Sequence, residues 1–282
     1  MFEKNDKIII KGGIFYMKYC LSSRNQSGYL TKADEIKVEY RDRKEIPDLF
    51  EKYPEATIIL QCFFYEEDLE WDNIKLWNNL SQGKFMLALG NIDDAQECKK
   101  LGIPFYYGFP IKTFYELHAL ARLGVSYVRL AEPIFFEMDK VKNIGIPVRA
   151  VANVAYNDGL PREDGVCGTW IRPEDVPTYE PYVSVIEFED CDPRRERALY
   201  RLYAEKNHWP GDLGMIISNF NHLGVNRMIL PEVTEKRLNC GHRCQEGAAC
   251  RICYRALLLA DPEKLAEYRD KMEEQLDTTD QD

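Results

Sequence analysis

Leu101-Gly-Ile-Pro104 is a phrase that the chain repeats, with small changes, as Leu123-Gly-Val125, Ile144-Gly-Ile-Pro147 and Leu223-Gly-Val225. Each copy follows a segment with the helical spacing of apolar residues and precedes a short apolar run. A glycine just past a helix end supplies the left-handed turn that leads the chain into the next strand. The first three copies lie about 22 residues apart, the length of one strand, one helix and two short loops. The phrase therefore indicates a βα repeat.

Extending the repeat in both directions predicts eight strands, at Ile36–Tyr40, Thr57–Phe63, Phe85–Leu89, Pro104–Tyr107, Val125–Leu130, Pro147–Val154, Val183–Phe188 and Asn226–Leu230. Helices are predicted between them, at 46–53, 68–81, 93–101, 112–123, 135–143, 173–179 and 193–223. Ahead of the first strand, Ile8-Ile-Ile10 and Ile14–Leu21 flank a Gly-Gly turn, and this pattern predicts a β-hairpin.

Eight alternating units in 282 residues are what a (β/α)8 barrel of the TIM type requires. An open, doubly wound sheet shows the same alternation, but no glycine-rich phosphate fingerprint follows the first strands, so we favour the barrel. The predicted organisation is a barrel with its N-terminal hairpin over 1–232 and a cysteine-rich metal-binding loop with C-terminal helices over 233–276. A disordered tail is predicted over 277–282.

The composition is that of an ordinary globular protein, with 45% hydrophobic and 30% charged residues. A net charge of −10 argues against broad electrostatic wrapping of a nucleic acid, although a local basic pocket leaves an RNA substrate open. Nine cysteines with no secretion signal, and no apolar segment of bilayer length, predict a reduced cytoplasmic protein outside the membrane. A protein partner is left open.

Four cysteines carry the most specific chemistry in the sequence. Cys240, Cys244, Cys250 and Cys253 stand as C-x3-C-x5-C-x2-C, and four thiolates in so short a loop can bind one Zn²⁺ or the corners of a [4Fe-4S] cluster. The spacing does not choose between the two. Because the loop follows the predicted eighth strand, we expect the metal at the carboxyl-end face of the barrel, where the loops after the strands collect.

Charged residues near the strand ends are the candidate catalytic groups. Glu187 and Glu189 are two apart on one strand and therefore share a face, inward or outward. An inward-facing Glu189 could act as a general acid or base, and Arg149 could hold an anionic group. Arg129 and Glu132 are close enough in sequence to pair with each other. Glu189 and Arg149 are the predicted catalytic residues.

Part of the chain resembles the collagenase-like peptidase family. The similar stretches are Gly124-Val-Ser-Tyr-Val-Arg-Leu-Ala-Glu132, Ile144-Gly-Ile-Pro-Val-Arg-Ala-Val-Ala-Asn-Val-Ala-Tyr-Asn-Asp-Gly159, Gly165-Val-Cys-Gly168, Val185-Ile-Glu-Phe-Glu-Asp190 and Tyr200-Arg-Leu-Tyr203. The resemblance covers about residues 85–205 and implies a barrel domain, a four-iron cluster held by cysteines, and hydroxylation of RNA bases or ubiquinone precursors. The family's cysteines follow the strand that matches Pro147–Val154, where this chain has only Cys167.

Two functions follow from these patterns. One is a cytoplasmic barrel enzyme with an iron–sulfur or zinc centre at its mouth, modifying RNA or a small aromatic substrate. The other is a non-catalytic binding or assembly protein, in which the four cysteines close a structural zinc site. Iron and acid-labile sulfide in the purified protein would favour the first, and one zinc without iron the second.

Overall fold

The structure is a computed structural model that describes residues 8–10, 13–15, 17–63, 68–131, 133–153, 169–189, 191–205, 216 and 235–241. Its strands are β1 Ile8–Ile10, β2 Gly13–Phe15, β3 Lys18–Ser22, β4 Glu35–Glu39, β5 Thr57–Cys62, β6 Phe85–Leu89, β7 Phe105–Tyr107, β8 Val128–Arg129, β9 Val148–Val151 and β10 Val183–Glu187. Its α-helices are α1 Ser27–Leu30, α2 Ile46–Lys52, α3 Trp71–Leu80, α4 Ala95–Leu101, α5 Phe114–Leu123, α6 Met138–Ile144, α7 Val176–Tyr179 and α8 Pro193–Ala204.

Strands β3 to β10 form one parallel sheet in which each strand lies beside its sequence neighbour. Strand β10 also pairs with β3, matching Val185 with Lys18. A hydrogen bond of 2.8 Å from Ser126 N to Phe105 O links the segment before β8 to β7. The strands therefore form a nearly closed ring with helices between them, which confirms the predicted (β/α)8 barrel.

The barrel begins one strand earlier in the chain than predicted, so each predicted barrel strand moves up by one in the count. The predicted hairpin forms between β1 and β2, but its second strand ends at Phe15, and Lys18–Ser22 is the first barrel strand. The eighth is Val183–Glu187, because it pairs with the first. The segment predicted as the eighth strand, Asn226–Leu230, lies outside the described residues. The other seven predicted strands are confirmed to within a few residues.

Helices α4, α5 and α6 end as the repeated phrase predicts. Their C-caps are Gly102, Gly124 and Gly145, with φ of 65°, 73° and 81°. Each glycine adopts the left-handed conformation that turns the chain toward the next strand. None of the helices in the described part of the chain combines the length and apolar character needed to cross a membrane.

Successive side chains of a barrel strand alternate between two buried regions, one between the strands and the helices and one inside the barrel. Ile36 and Val38 of β4 lie in the large apolar core of the protein, in the layer where helices cover a barrel. The intervening positions, Glu35 and Lys37, are also buried. They therefore lie on the opposite face, inside the barrel, where a second and smaller apolar cluster contains Cys20 and Tyr106.

Candidate functional site

The inside of the barrel holds a connected set of charged side chains, which we call the interior charge network. Its members are Lys18, Glu35, Lys37, Arg129, Arg149, Glu187 and Glu189. They come from β3, β4, β8, β9 and the end of β10. Every ion pair within it joins residues that are remote in sequence, so the closed ring of strands creates the network.

Arg149 is the centre of the network and is fully buried. Its Nη1 atom donates to Glu35 Oε2 at 2.5 Å and its Nη2 atom to Glu187 Oε2 at 3.3 Å. Its guanidinium group lies 4.8 Å from the ring centroid of Tyr106 and 5.2 Å from that of Tyr127. Burial opposes the charge, but the carboxylates raise the pKa of Arg149 above its usual value. The anionic groups that Arg149 holds here are therefore protein carboxylates.

Glu187 is the shared counter-ion of three buried cations. Arg129 Nε lies 3.0 Å from Glu187 Oε1, and Lys37 Nζ lies 4.0 Å from Oε2, on the side that also faces Arg149. Burial alone would raise the pKa of Glu187, but Arg129, Arg149 and Lys37 outweigh it and lower this pKa to about 2. Glu187 is therefore ionised throughout the neutral range.

Glu189 lies at the carboxyl end of β10, on the outer edge of the network. Its carboxylate pairs with Arg129 Nη2, and 27% of its side chain is exposed. Asn153 holds its backbone from both sides, because Glu189 N donates to Asn153 Oδ1 at 3.0 Å and Asn153 Nδ2 donates to Glu189 O at 2.7 Å. Glu189 is therefore a partly exposed carboxylate at a fixed position on the barrel mouth.

Phe63 lies just beyond the end of β5, against Gly90 and Gly108. A Cβ atom added at Gly108 would lie 2.4 Å from Phe63 Cδ1, and one added at Gly90 would lie 2.8 Å from Phe63 Cβ. Arg129 Nη1 donates to Gly108 O at 2.5 Å, so the same glycine also positions the arginine. The ring of Phe63 packs against the apolar cluster inside the barrel. It therefore covers part of that interior from the mouth side.

The segment 235–241 contains Cys240 and docks on loops at the same end of the barrel. Gly241 N donates to Phe136 O, and Met138 N donates to Leu238 O, both at 2.9 Å. Asn239 Oδ1 accepts from Asp139 N at 2.9 Å and so caps the start of α6 from a distant part of the sequence. The contacted residues lie between the carboxyl end of β8 and the start of α6. Cys240 therefore lies at the carboxyl-end face of the barrel.

Arg237 and Tyr179 are buried next to Cys240 in this layer. The guanidinium group of Arg237 lies 3.4 Å from the ring centroid of Trp170. Burial raises the pKa of Tyr179 to about 12, with Arg237 acting to lower it and Cys240 to raise it. The hydroxyl of Tyr179 has no hydrogen-bond partner in the described part of the protein.

The other three predicted metal ligands, Cys244, Cys250 and Cys253, lie outside the described residues, as do Cys167 and Glu132. Among the residues that the structure describes, no group of three or more His, Cys, Asp or Glu side chains could hold a metal. The metal prediction therefore stays a prediction.

The pairing of Arg129 with Glu132 also stays a prediction, and the described carboxylate partners of Arg129 are Glu187 and Glu189.

Sequence reasoning missed Lys18, Glu35 and Lys37 of the interior charge network, and it also missed the buried Glu196. Glu196, at the start of α8, is buried and accepts from Ser22 N at 3.0 Å and 3.2 Å. The sequence of β4 offered a signal, because charged and apolar residues alternate along it. Since helices cover the apolar face of a barrel strand, the charged residues at the other positions must point into the barrel. No comparable local signal marks Glu196.

Comparisons with known proteins add little beyond the fold. No family model and no curated protein matches the chain. Among solved structures, the YdjI aldolase from Escherichia coli K12 is 14% identical, with 90% of this chain and 91% of that chain covered and a TM-score of 0.39. A glycerol uptake operon antiterminator-related protein from Thermotoga maritima MSB8 is 15% identical, with 62% and 96% covered and a TM-score of 0.39. A mutant tryptophan synthase α-subunit from Pyrococcus furiosus is 10% identical, with 61% and 86% covered and a TM-score of 0.38. These similarities carry no argument about activity, and the fold assignment depends on the strand order and pairing described above.

Proposed function

We propose that this chain is a metal-dependent (β/α)8-barrel enzyme that modifies an aromatic ring, in RNA or in a small molecule. The observation that carries the proposal is the position of Glu189 and Cys240, both at the carboxyl-end face of the barrel. Enzymes of this fold carry out their chemistry on that face. The aromatic substrate class comes from the resemblance to the collagenase-like peptidase family.

Cys240, Cys244, Cys250 and Cys253 would hold the metal. Four thiolates suit both iron–sulfur clusters and zinc, and Cys240 sits partly buried in a segment that is docked on the barrel. When bound, an iron–sulfur cluster supplies electron transfer, whereas zinc with four thiolates has no open position and supplies structure. The enzymatic proposal is therefore the iron–sulfur one.

Glu189 is the residue that we expect to contact the substrate, because it is the partly exposed carboxylate of the interior charge network. It can accept a hydrogen bond or a proton from a substrate group at the mouth. Arg149 acts at a distance as a positioning residue: it holds Glu187, Glu187 holds Arg129, and Arg129 holds Glu189. The predicted pair therefore divides into one contacting group and one supporting group.

Metal analysis of protein purified without oxygen tests the cysteine assignment. We expect a brown protein with iron and acid-labile sulfide, and loss of both in Cys240→Ala and Cys250→Ala. Cys98→Ala is the matched control, because Cys98 is buried in the large apolar core and belongs to α4. Unchanged metal content in Cys250→Ala would show that the ligand assignment is wrong.

Substrate profiling tests the enzymatic role. In cells of the source organism that lack this protein, we expect one modified nucleoside or one small aromatic product to disappear from mass-spectrometric profiles. The wild-type gene and the Glu55→Gln variant should restore it, because the Glu55 side chain is 95% exposed, whereas Glu189→Gln should not. Full restoration by Glu189→Gln would remove Glu189 from the chemistry, and unchanged profiles in the deletion strain would oppose the proposal as a whole.

The second candidate function is a non-catalytic binding or assembly protein with a structural zinc site. The environment of Glu35 and Glu187 favours this candidate, since both carboxylates are buried and paired with cations of the protein itself. A barrel interior in which acidic and basic side chains pair with each other can have a structural role without binding a substrate. One zinc per chain, no iron, and unaltered cellular profiles would support this candidate.

A further inference from the structure

Three aromatic rings lie together just beyond the carboxyl ends of β5 and β7. They belong to Phe63, Tyr107 and Phe109, and all three residues are partly exposed. The ring centroid of Phe109 is 5.5 Å from those of both Phe63 and Tyr107, with the planes inclined by 53° and 63°. None of these rings is therefore stacked flat on another of the three. A contiguous group of partly exposed rings, on the face where barrels bind their ligands, points to a binding surface.

The ring of Phe109 is carried by a loop that is attached on both sides. Gly108 N donates to Leu89 O, at the end of β6, at 2.8 Å. Ile111 N donates to Arg129 O, at the end of β8, at 2.9 Å. The loop after β7 is therefore fixed to both neighbouring strands. It presents Phe109 in a preorganised position, which lowers the entropic cost of binding a ligand.

Arg129 connects this loop to the carboxylate of Glu189. Its Nη1 atom donates at 2.5 Å to Gly108 O, the carbonyl of the peptide bond that precedes Phe109. Its Nη2 atom pairs with Glu189 Oε1. The side chain of Arg129 is 6% exposed, whereas that of Glu189 is 27% exposed. One guanidinium group therefore separates Glu189 from the loop of Phe109, and the more exposed member of this ion pair is the anion.

We propose that Phe109, with Phe63 beside it, is the stacking surface for the ring of the substrate, and that Glu189 Oε2 accepts a hydrogen bond from an amino group on that ring. The inference rests on the proposed function, in which Glu189 contacts the substrate, and it defines the chemistry of that substrate. A carboxylate accepts hydrogen bonds from N–H donors and repels other anions. The structure therefore favours an uncharged amino-bearing ring, such as adenine or cytosine, over a ring that carries a carboxylate. Phe109 is then a specificity-determining residue.

Ligand-detected NMR titration of the full-length protein tests this site, with adenosine, cytidine and 4-hydroxybenzoate as the probes. We expect saturable binding of at least one nucleoside and no binding of 4-hydroxybenzoate. The ring protons of the bound nucleoside should move upfield, because they lie over an aromatic face. The N,N-dimethylamino analogue of that nucleoside keeps the ring but has no amino N–H, and it should bind about tenfold more weakly.

The variant Phe109→Leu tests the stacking surface, because leucine keeps an apolar side chain but has no flat face. Loss of stacking should lower the affinity for the nucleoside about 5- to 150-fold, and Phe109→Tyr should retain it. Tyr115→Leu is the matched control, because Tyr115 is an exposed aromatic residue of α5 and its loss should leave the affinity unchanged. Glu189→Gln should reduce the preference for the nucleoside over its dimethylamino analogue. Thermal unfolding checks that each variant is folded.

A single-stranded tetranucleotide that contains the bound nucleoside separates the two sources of such a ring. Tighter binding of the tetranucleotide than of the nucleoside assigns the ring to RNA, because the neighbouring nucleotides then add contacts. Equal or weaker binding assigns it to a small molecule. Both results support the ring-binding site, provided that Phe109→Leu weakens the binding.

The outcomes also distinguish this inference from the proposed function. Lack of nucleoside binding, equal affinities in Phe109→Leu and Tyr115→Leu, or a preference for 4-hydroxybenzoate would overturn the inference. The proposed function would survive any of these results if the deletion strain still lost a product. Conversely, Phe109-dependent nucleoside binding by a protein without iron, whose deletion leaves cellular profiles unchanged, would support the binding site and overturn the enzymatic proposal.

Discussion

Replacing Glu187 by glutamine removes the shared counter-ion of Arg129, Arg149 and Lys37 while keeping the size of the side chain. Glu187 is 2% exposed and its partners are buried as well. Removing the carboxylate that three buried cations share leaves part of their charge uncompensated, and breaking a buried ion pair typically costs about 3–5 kcal/mol. We expect Glu187→Gln to lower the free energy of unfolding by that amount at pH 7.

The pH dependence of the free energy of unfolding gives a second value for the contribution of the Glu187 ion pairs. The pKa of Glu187 is about 2 in the fold against 4.5 for the unperturbed group, a difference that corresponds to roughly 3 kcal/mol. Because the pKa is lowered by folding, this stabilisation is fully present above about pH 4.5 and is lost as the pH falls toward 2. The difference in stability between wild type and Glu187→Gln should therefore shrink over that window.

Urea unfolding followed by circular dichroism measures both quantities, at pH 7 and at steps down to pH 3. Glu55→Gln is the control, because Glu55 pairs with Lys84 at the surface with its side chain 95% exposed and should cost less than about 1 kcal/mol. A Glu187→Gln loss no larger than that of the control would refute the account of the interior charge network. So would a stability difference that stays constant from pH 7 to pH 3.

Three further substitutions probe the frame around the site. Thr113→Ala removes the side-chain acceptor of the capping box at the start of α5 and should cost about 1 kcal/mol in urea unfolding; a loss near zero would mean that the box is not stabilising. Gly108→Ala forces a Cβ atom against the ring of Phe63 and should cost about 1–3 kcal/mol, with partial rescue by Phe63→Ala; the absence of rescue would place the strain elsewhere. Asn239→Ala removes the cap on α6 and should cost about 1 kcal/mol, with faster amide hydrogen exchange in the first turn of α6; unchanged exchange there would contradict the capping role.

The periodic part of the fold could be predicted from the sequence because its signals are local. Gly102, Gly124 and Gly145 end their helices as the repeated phrase indicates. The first barrel strand was missed because Ile14–Leu21 is a nearly continuous apolar run, which hides the break between Phe15 and Lys18. That one missed strand shifted the count and assigned the eighth position to Asn226–Leu230.

The site could be predicted only in part, because its contacts are not local. Spacing established that Glu187 and Glu189 share a face, and the structure shows that the face points inward. The partners of Arg149 could not be predicted, since Glu35 lies 114 residues away and reaches it only through the closed ring. Glu132, which is close enough in sequence to pair with Arg129, lies outside the described residues, and the described carboxylate partners of Arg129 come from the end of β10.

Closure of the barrel by β3 and β10 has a consequence for synthesis. The strand that begins at Lys18 is made early, and its partner Val183–Glu187 is made late. Until the later strand leaves the ribosome, the nascent sheet has two edges with unpaired amide and carbonyl groups, which other chains can recruit. Chains that terminate before residue 183 should therefore aggregate, and chaperone binding should be strongest in the interval before that residue emerges.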